Sequence, residues 1–358
     1  MKKNIIDFAF RYPRYCKYWT KKADKSIDTF VKDKLTHNQY LLLRAKLFWY
    51  RYLYRISFDE FFLFNVVDLK PSGIRKFAGE DDHLMYADSM NKKENKAIFD
   101  DKWLAYQRFK EFYGREIVLF TVDGKDDENK RKESFESFTK KHPEFIVKPI
   151  KSTLGKGVKK IKVKDYASIN DLYDNLISEY IKGFVLEELI IQDDEFARLH
   201  KESVNSLRVT TVRFDDRIEF VHPFLRIGKG NSVVDNAGAG GVMGLIDVET
   251  GIVYASADEY GNRFVVHPDT KEQVVGFKVP KWEEAKEFVR KLTQVIPDNR
   301  YSGWDIALTK NGWVMIEGNT RAQFVWQMVS KQGSKEEFEG YIKELGIKEL
   351  VCFNKRYN

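Results

Sequence analysis

The sequence predicts an α+β protein, because helical and strand patterns both occur and occupy different stretches of the chain. Apolar residues recur at helical spacing in four stretches, residues 38–53, 101–113, 168–181 and 280–292. From residue 203 the pattern changes to short runs rich in Val, Thr, Ile and Phe, which are typical of strands. With 358 residues, of which 43% are hydrophobic, the chain can bury one large core or two to three modest ones.

The composition restricts the class of function. A net charge of +7 suits an anionic partner such as a nucleotide, an acidic glycan or a membrane surface, although charges of both signs are interspersed. Cys16 and Cys352 are too few and too far apart for a disulfide scaffold or a zinc site. The sequence shows neither a signal peptide nor an apolar run of about 18 residues. We therefore expect a cytoplasmic enzyme.

The first 60 or so residues are basic and aromatic. Within them a helical stripe begins near Asn38, with cations on its flanks. The stripe consists of Leu42, Lys46, Trp49, Tyr50 and Leu53. One interpretation is an interfacial helix or a platform for a lipid-linked acceptor. The commoner explanation is a helical extension packed on the core, with the charged ends of its cations reaching water.

A second helix is predicted from Asp101, placed as its N-cap, to Gly114, which ends it. Two strands follow, the second at residues 145–150 with Lys148 near its end. Residues 151–157, KSTLGKG, then lead into another strand, so the loop is neither a Walker A loop nor a dinucleotide fingerprint. Such a loop can fold over a polyphosphate as a flap, whereas a basic hairpin is the commoner explanation.

The strand predicted at residues 184–191 is apolar apart from Glu187 and Glu188. The backbone at its edge can pair with an adenine ring while one of these carboxylates takes the amino group or the ribose. A solvent-facing pair of glutamates is the simpler alternative. Farther along, Arg208 and Arg226 lie on predicted strands and are candidates to hold phosphate oxygens.

The stretch from Tyr301 to Arg321 predicts two half-buried strands joined by a turn. If residues 310–312 form a three-residue loop, Asp305 faces Glu317, and Asn319 lies on the same face. Like charges placed opposite each other on neighbouring strands cost free energy unless a cation lies between them. The set of oxygen ligands suits Mg²⁺ shared with substrate phosphates. The alternative is a hairpin whose polar face meets water.

Taken together, these segments resemble the ATP-grasp superfamily. The matching motifs occur in its order: DK at Asp101, FIVKP with Lys148, STLGKG, VLEELI, and the hairpin GWDIA to MIEGN. Within that superfamily the chain is most similar to the sugar-transfer-associated ATP-grasp proteins, on the basis of NSLRVTT at residues 205–211, AGAGGVMGLIDVETG and the upstream YRISFDEFFLF. The resemblance covers roughly residues 40–330.

The resemblance implies a fold in which a nucleotide is held between two α+β domains, preceded by a helical extension. The implied divisions are an N-terminal helical and aromatic extension, the N-terminal part of the core, a small lid subdomain, a catalytic subdomain and a C-terminal helix. They correspond to residues 1–95, 96–144, 145–191, 192–330 and 331–358.

The resemblance also implies roles for individual residues. Lys102 and Lys148 would contact the α- and β-phosphates of ATP. The flap residues over the β- and γ-phosphates would be Ser152, Thr153, Gly155, Lys156 and Gly157. Adenine would be held by Glu187, Glu188, Leu189 and Ile190, with Gln192 or Asp194 on the ribose. Asp305, Glu317 and Asn319 would hold one or two Mg²⁺.

The implied activity is that of an ADP-forming carboxylate–amine ligase with an acyl-phosphate intermediate, in which one substrate is linked to a carbohydrate. Arg208 would stabilise the oxyanion, and Lys148 and Asn205 complete the catalytic set. Many members carry an arginine two residues before the metal-binding aspartate, whereas this chain has Gly303 there. A nucleotide-binding module without catalysis and a kinase acting on a sugar remain open alternatives. Nucleic acid is not expected as a partner, whereas the basic N-terminus is a candidate for membrane contact.

Overall fold

The computed structural model describes residues 17–31, 33–121, 127–152, 155–230 and 240–353. The chain divides into two compact units. One unit comprises Met1–Tyr86 together with Gln323–Asn358, and the other comprises Ala87–Ala322. Within the described residues no helix is long and apolar enough to cross a membrane.

The first unit is helical in its described part. Its elements are α1 (residues 17–30), α2 (His37–Tyr54), α3 (Phe58–Leu63), a 3₁₀ turn (Val66–Asp68), α4 (Pro71–Ile74), most of α5 (Glu80–Met90), α12 (Trp326–Ser330) and α13 (Lys335–Glu344). Thr36 and Ser57 begin α2 and α3 with reciprocal capping boxes. Gln327 joins the two chain segments of the unit, since its side-chain amide exchanges two hydrogen bonds with the backbone of Ala78.

The second unit contains the end of α5, followed by α6 (Asn95–Asp100) and α7 (Lys102–Tyr113). The side chain of Asp101 accepts hydrogen bonds from the backbone N–H groups of Trp103 and Leu104, both at 3.1 Å. Gly114 ends the helix with a left-handed φ of +57°. The predicted N-cap and C-terminal stop of this helix are therefore confirmed.

A four-stranded antiparallel sheet follows in the chain. It contains β1 (Ile117–Phe120), β2 (Glu144–Pro149), β3 (Lys159–Lys162) and β4 (Phe184–Glu188), in the order β1-β4-β2-β3. Helices α8 (Glu128–Lys141) and α9 (Ile169–Glu179) supply aromatic and aliphatic side chains to the core of this sheet. The strand predicted at residues 184–191 is shorter than expected and ends at Glu188, after which the chain leaves the ladder.

After a short helix α10 (Asp194–Ala197), a six-stranded antiparallel sheet forms the rest of the unit. It contains β5 (Ser206–Arg213), β6 (Ile218–Ile227), β7 (Val242–Ile246), β8 (Val253–Ala257), β9 (Tyr301–Thr309) and β10 (Gly312–Asn319) in the order β10-β9-β5-β6-β7-β8. Its core includes side chains of α7 and of α11 (Trp282–Val295). The β9 strand is buried on both faces and not on one as predicted. Trp304, Ile306 and Leu308 join the core to which α7 and α11 contribute, and on the other face Arg208 and Arg226 cover Asp305.

The β9–β10 hairpin differs from its prediction in the turn. Gly312 pairs with Thr309, so the loop has two residues and not three, and Trp313 faces Leu308. A bulge between Met315 and Glu317 then inserts one residue into β10. The two deviations compensate each other, and Glu317 stands opposite Asp305 as the sequence predicts.

Candidate active site

A buried carboxylate of β4 lies at one end of the candidate site. Glu187 is 5% exposed and accepts hydrogen bonds from Lys148 Nζ and Arg115 Nη2, both at 2.8 Å. Burial disfavours the ionised carboxylate, but the two cations outweigh burial and lower the pKa of Glu187 to about 2. Glu187 is therefore the counter-ion that holds the Lys148 ammonium at the end of β2.

Arg115 connects this carboxylate with the other sheet. Its Nη1 atom donates to the backbone oxygen of Met315 on β10 at 2.6 Å, while Nε and Nη2 bind Glu187. The side chain is only 3% exposed. Arg115 thus ties β4 to the bulged part of β10, which is the segment that carries Glu317.

Lys102 stands at the first turn of α7. Its ammonium donates to the hydroxyl of Ser152 at 3.0 Å and to the backbone oxygen of the same residue at 3.3 Å. Burial lowers its pKa below the ordinary value; Glu317 and Glu187 act in the opposite direction and Lys148 adds to the lowering. Charges from both sheets therefore meet at the start of α7.

A second buried charge cluster surrounds Asp305 on β9. Arg208, its partner across the ladder on β5, binds both carboxylate oxygens, with an Nη2 to Oδ2 distance of 2.8 Å. Arg226 from β6 donates to Oδ2 at 2.7 Å. Burial would raise the pKa of Asp305, but the two arginines lower it below its ordinary value. Asp305 is thus ionised and shared by two partly buried cations.

The glycine at position 303 leaves room for one of these cations. A Cβ atom at Gly303 would lie 3.2 Å from Cδ of Arg208 and 2.4 Å from Cβ of Ala322. Gly303 pairs with Thr210 on β5, two residues beyond Arg208. Position 303 therefore has no side chain, and the side chain of Arg208 on the neighbouring strand lies against it.

Glu317 is exposed and Asn319 is half-buried at the edge of the site. They lie two residues apart on β10, and the Asn319 amide donates to Glu317 Oε1 at 3.4 Å. Within the described residues no group of three or more His, Cys, Asp or Glu side chains is arranged to hold a metal ion. One carboxylate and one amide oxygen still fit Mg²⁺, since this ion commonly takes few protein ligands and completes its shell with phosphates and water. Asp305, whose oxygens are bound by arginines, is placed less directly for this role.

Two predicted site residues, Asn205 and Gln192, make their hydrogen bonds within the protein interior. Asn205 is completely buried, and its side-chain nitrogen donates to Gln192 Oε1 and to the backbone oxygens of Phe196 and His200. Its Oδ1 atom accepts from the backbone N–H of Gly228. The Nε2 atom of Gln192 donates to backbone oxygens of His200 and Ser203. The structure therefore brings neither the predicted catalytic Asn205 nor the ribose candidate Gln192 to the site.

The predicted flap comprises residues 151–157, of which residues 151 and 152 and residues 155–157 are described. Thr153 lies outside the described residues. Gly155 and Gly157 adopt left-handed φ values of +70° and +74°, and Lys156 between them is exposed. Tyr180 fixes the end of the loop by donating from its hydroxyl to the backbone oxygen of Gly157 at 2.8 Å.

The predicted adenine segment follows β4. Glu188 accepts a hydrogen bond from the backbone N–H of Glu116 at 3.0 Å, while Leu189 and Ile190 are half-buried beyond the end of the strand. Asp194 is highly exposed on α10 and lies 3.6 Å from Lys310. The backbone of residues 189 and 190 thus lies beyond the end of β4, and its contact with adenine stays a prediction.

Sequence reasoning missed Arg115 and the steric role of Gly303. Arg115 follows the glycine that ends α7, and a single arginine at a helix-to-strand junction gives no periodic signal. Besides the backbone oxygen of Tyr113, its partners lie 72 and 200 residues away in the chain. The absence of an arginine at position 303 was visible in the sequence, but its link to Arg208 depends on the pairing of β5 with β9.

A four-stranded and a six-stranded antiparallel sheet, with cationic and acidic side chains from both at one site, define an ATP-grasp protein. The family model described as sugar-transfer-associated ATP-grasp matches residues 83–341, which is more than two thirds of the chain. The chain belongs to this family.

Several solved structures resemble the chain at low sequence identity. The ATP-grasp ligase PsnB complexed with minimal precursor is 15% identical with a TM-score of 0.42, over 71% of this chain and 63% of PsnB. D-alanyl-alanine synthetase A from Vibrio cholerae is 11% identical with a TM-score of 0.46, over 72% of this chain and 68% of that one. D-Alanine-D-alanine ligase from Helicobacter pylori is 13% identical with a TM-score of 0.44, over 72% and 62%.

This chain thus spans less than two thirds of PsnB and of the Helicobacter enzyme. At TM-scores below 0.5 these likenesses give no information about its substrates. No curated protein matches the chain significantly.

Proposed function

We propose that the chain is an ATP-dependent, ADP-forming ligase that joins a carboxylate to an amine, with one substrate carried on a carbohydrate of a surface polysaccharide. The observation that carries the proposal is the meeting of four cations with ionised carboxylates at one site. Lys102 and Lys148 supply point charges for phosphates, and Arg208 and Arg226 supply planar donors for a reacting carboxylate or phosphoryl group. The carbohydrate rests on family membership.

In the first step, an oxygen of the substrate carboxylate attacks the γ-phosphorus of ATP. The bond from that phosphorus to the β–γ bridging oxygen breaks, which gives an acyl phosphate and ADP. Lys148 and Lys102 neutralise charge on the phosphates, and the flap with Lys156 excludes water. Glu317 and Asn319 would hold Mg²⁺, which when bound neutralises phosphate charge.

In the second step, the amine nitrogen attacks the acyl carbon, inorganic phosphate leaves, and the nitrogen loses a proton as the amide forms. Negative charge develops on the acyl oxygen of the tetrahedral intermediate. Arg208 is the donor that we assign to this oxygen, because Gly303 leaves room for its side chain at the strand surface. Ionised Asp305 holds the Arg208 guanidinium in orientation.

We assign the contacts with adenine to the backbone of residues 189 and 190 and to Glu188. Asp194 is the remaining side chain that we assign to the ribose, because Gln192 is engaged in buried hydrogen bonds. We place the reaction in the cytoplasm, where ATP is available.

The experiment is to measure ADP and inorganic phosphate in parallel, with ATP and Mg²⁺, against amino acids and uronic-acid sugars supplied singly and in pairs. A ligase releases both products only when a matching pair is present. A kinase yields ADP and a phosphorylated sugar with no free phosphate. Tight ATP binding without ADP release for any pair, in the wild type and in a Lys148 variant alike, would favour a non-catalytic module.

A further inference from the structure

Helix α2 is apolar on two opposite sides. Its inner side packs within the helical unit: Leu47 is 1% exposed, and the ring of Tyr50 makes an edge contact with Phe61 of α3. Arg51 on the same side binds Asp81 of α5 and stacks over Trp19 of α1. These contacts fix which face of α2 points into the unit.

The opposite side of α2 is large, apolar and exposed. Leu42 is 67%, Trp49 59%, Tyr52 79% and Leu53 47% exposed. Their spacing of three, four, seven and eleven residues places them on one stripe of the helix. A helix of a globular protein normally buries its large apolar side chains. A second apolar stripe that stays exposed, as on α2, therefore indicates a binding surface.

The excess positive charge of the chain is concentrated in its N-terminal sequence, which includes α1 and α2. Residues 1–55 contain 14 of the 61 Lys and Arg residues and four of the 54 Asp and Glu residues. This segment therefore carries a net charge of +10, whereas the remaining 303 residues carry −3. Lys46 lies one turn from Leu42 within the stripe and is exposed. On α1 the exposed lysines are Lys17, Lys21, Lys22 and Lys25.

We propose that the outer face of α2 is a peripheral membrane-binding surface that docks on an anionic lipid bilayer. Trp and Tyr are the side chains that favour the bilayer interface, since each combines a ring with one polar group. Leu42 and Leu53 would enter the acyl boundary on either side of Trp49. The basic segment would add attraction to the anionic headgroups, which an apolar protein partner would not require.

This surface is distinct from the proposed ligase site, because none of its residues belongs to the unit that carries that site. A membrane surface would bring the enzyme to lipid-linked acceptors, but the docking itself does not depend on the ligase reaction. The binding test therefore does not require a known substrate.

The test is flotation of the full-length protein with two kinds of vesicle, phosphatidylcholine alone and phosphatidylcholine mixed with phosphatidylglycerol. We expect binding to the anionic vesicles, little binding to the neutral ones, and weakening at high salt. The double variant Trp49→Gln/Leu53→Gln should bind at least about tenfold more weakly. Val67→Gln is the matched control, since Val67 is 60% exposed in the same unit but lies outside α2, and it should bind as the wild type does.

Circular dichroism and thermal unfolding of the variants show whether the fold is retained, which is expected for exposed positions. Light scattering of the wild type and the double variant tests whether α2 instead binds a second copy of the chain. Failure of the wild type to float with anionic vesicles would overturn the proposal, as would equal binding by a folded double variant. A wild-type dimer that the double variant converts to a monomer, without vesicle binding, would show instead that α2 binds a second copy.

Discussion

Arg208 and Asp305 face each other on neighbouring strands, β5 and β9, and the guanidinium contacts both carboxylate oxygens. Asp305 is buried, Arg208 is partly buried, and Asp305 is also bound by Arg226. Removing a buried counter-ion costs more than the pair contributes, since the remaining charges lose hydration without compensation.

The variant Asp305→Asn should therefore destabilise the protein by about 3–5 kcal/mol. Chemical denaturation gives the free energy of unfolding. In the double variant Asp305→Asn/Arg226→Gln the loss should be smaller than the sum of the two single losses, because one uncompensated cation is gone. Strict additivity would show that the two residues do not act as a pair.

Stability below pH 5 should depend on Glu187. The folded-state pKa of Glu187, about 2, lies below the ordinary value of 4.5, so its ion pairs contribute fully above about pH 4.5. This contribution is lost as the pH falls towards 2. Glu187→Gln should lower the unfolding free energy at pH 7 by roughly 3 kcal/mol and flatten the pH dependence in that window.

The control for this experiment is Glu179→Gln, which removes an exposed ion pair with Lys159. It should cost less than about 1 kcal/mol and leave the acid limb of the stability curve unchanged. An acid limb that is as steep in Glu187→Gln as in the wild type would contradict the assignment of the pKa shift to Lys148 and Arg115.

Gly303→Ala tests the space beside Arg208. The added methyl group would collide with Ala322 and press on Arg208, so we expect a loss of about 1–3 kcal/mol in unfolding free energy and a lower kcat. Gly340→Ala is the control, since no atom lies within 4 Å of the added Cβ in α13 and alanine favours a helix. A Gly303→Ala protein with unchanged stability and unchanged kcat would refute the steric argument.

The two flap glycines provide a matched pair. Both have left-handed φ values, so alanine at either position carries a backbone penalty of roughly 1–2 kcal/mol. An alanine Cβ at Gly157 would also lie 2.8 Å from Cγ of Pro149, whereas nothing lies within 4 Å at Gly155. Thermal and chemical unfolding should therefore show Gly157→Ala to be the less stable variant, and the reverse order would be evidence against the described loop.

Replacement of Glu317 should affect turnover more than stability, because this side chain is exposed. If Glu317 holds Mg²⁺, Glu317→Gln should lower kcat by about a hundredfold or more, with a change of less than about 0.5 kcal/mol in unfolding free energy. Glu219→Gln, an exposed carboxylate on β6, should leave both quantities unchanged. Undiminished ATP turnover in Glu317→Gln would contradict the assignment of Glu317 as a Mg²⁺ ligand.

Local patterns predicted the elements that carry the site. The N-cap at Asp101, the stop at Gly114 and the two strands of the final hairpin all follow from short-range rules of capping and alternation. The pairing of Asp305 with Glu317 was also predicted, but for an incomplete reason, since a shorter turn and a bulge offset each other. A bulge leaves no period-two signature that a sequence can reveal.

The charge pairing within the site could not be predicted in this way. The partners of Glu187 and Asp305 come from segments between 39 and 97 residues distant, and only the strand order brings them together. Asn205 shows a related difficulty, because the sequence gives an amide near arginines but not its complete burial or its hydrogen bonds to backbone oxygens. Residue type alone does not separate a catalytic amide from a structural one.

The most direct test of the proposed ligase follows the oxygen atoms of the carboxylate substrate that the pairwise assay identifies. The carboxylate is labelled with ¹⁸O and supplied with its amine, ATP and Mg²⁺, and the released phosphate is examined by mass spectrometry. An acyl-phosphate route transfers one labelled oxygen from the substrate to the phosphate, which is the result we predict. Phosphate without label would contradict carboxylate activation by ATP and with it the proposed reaction.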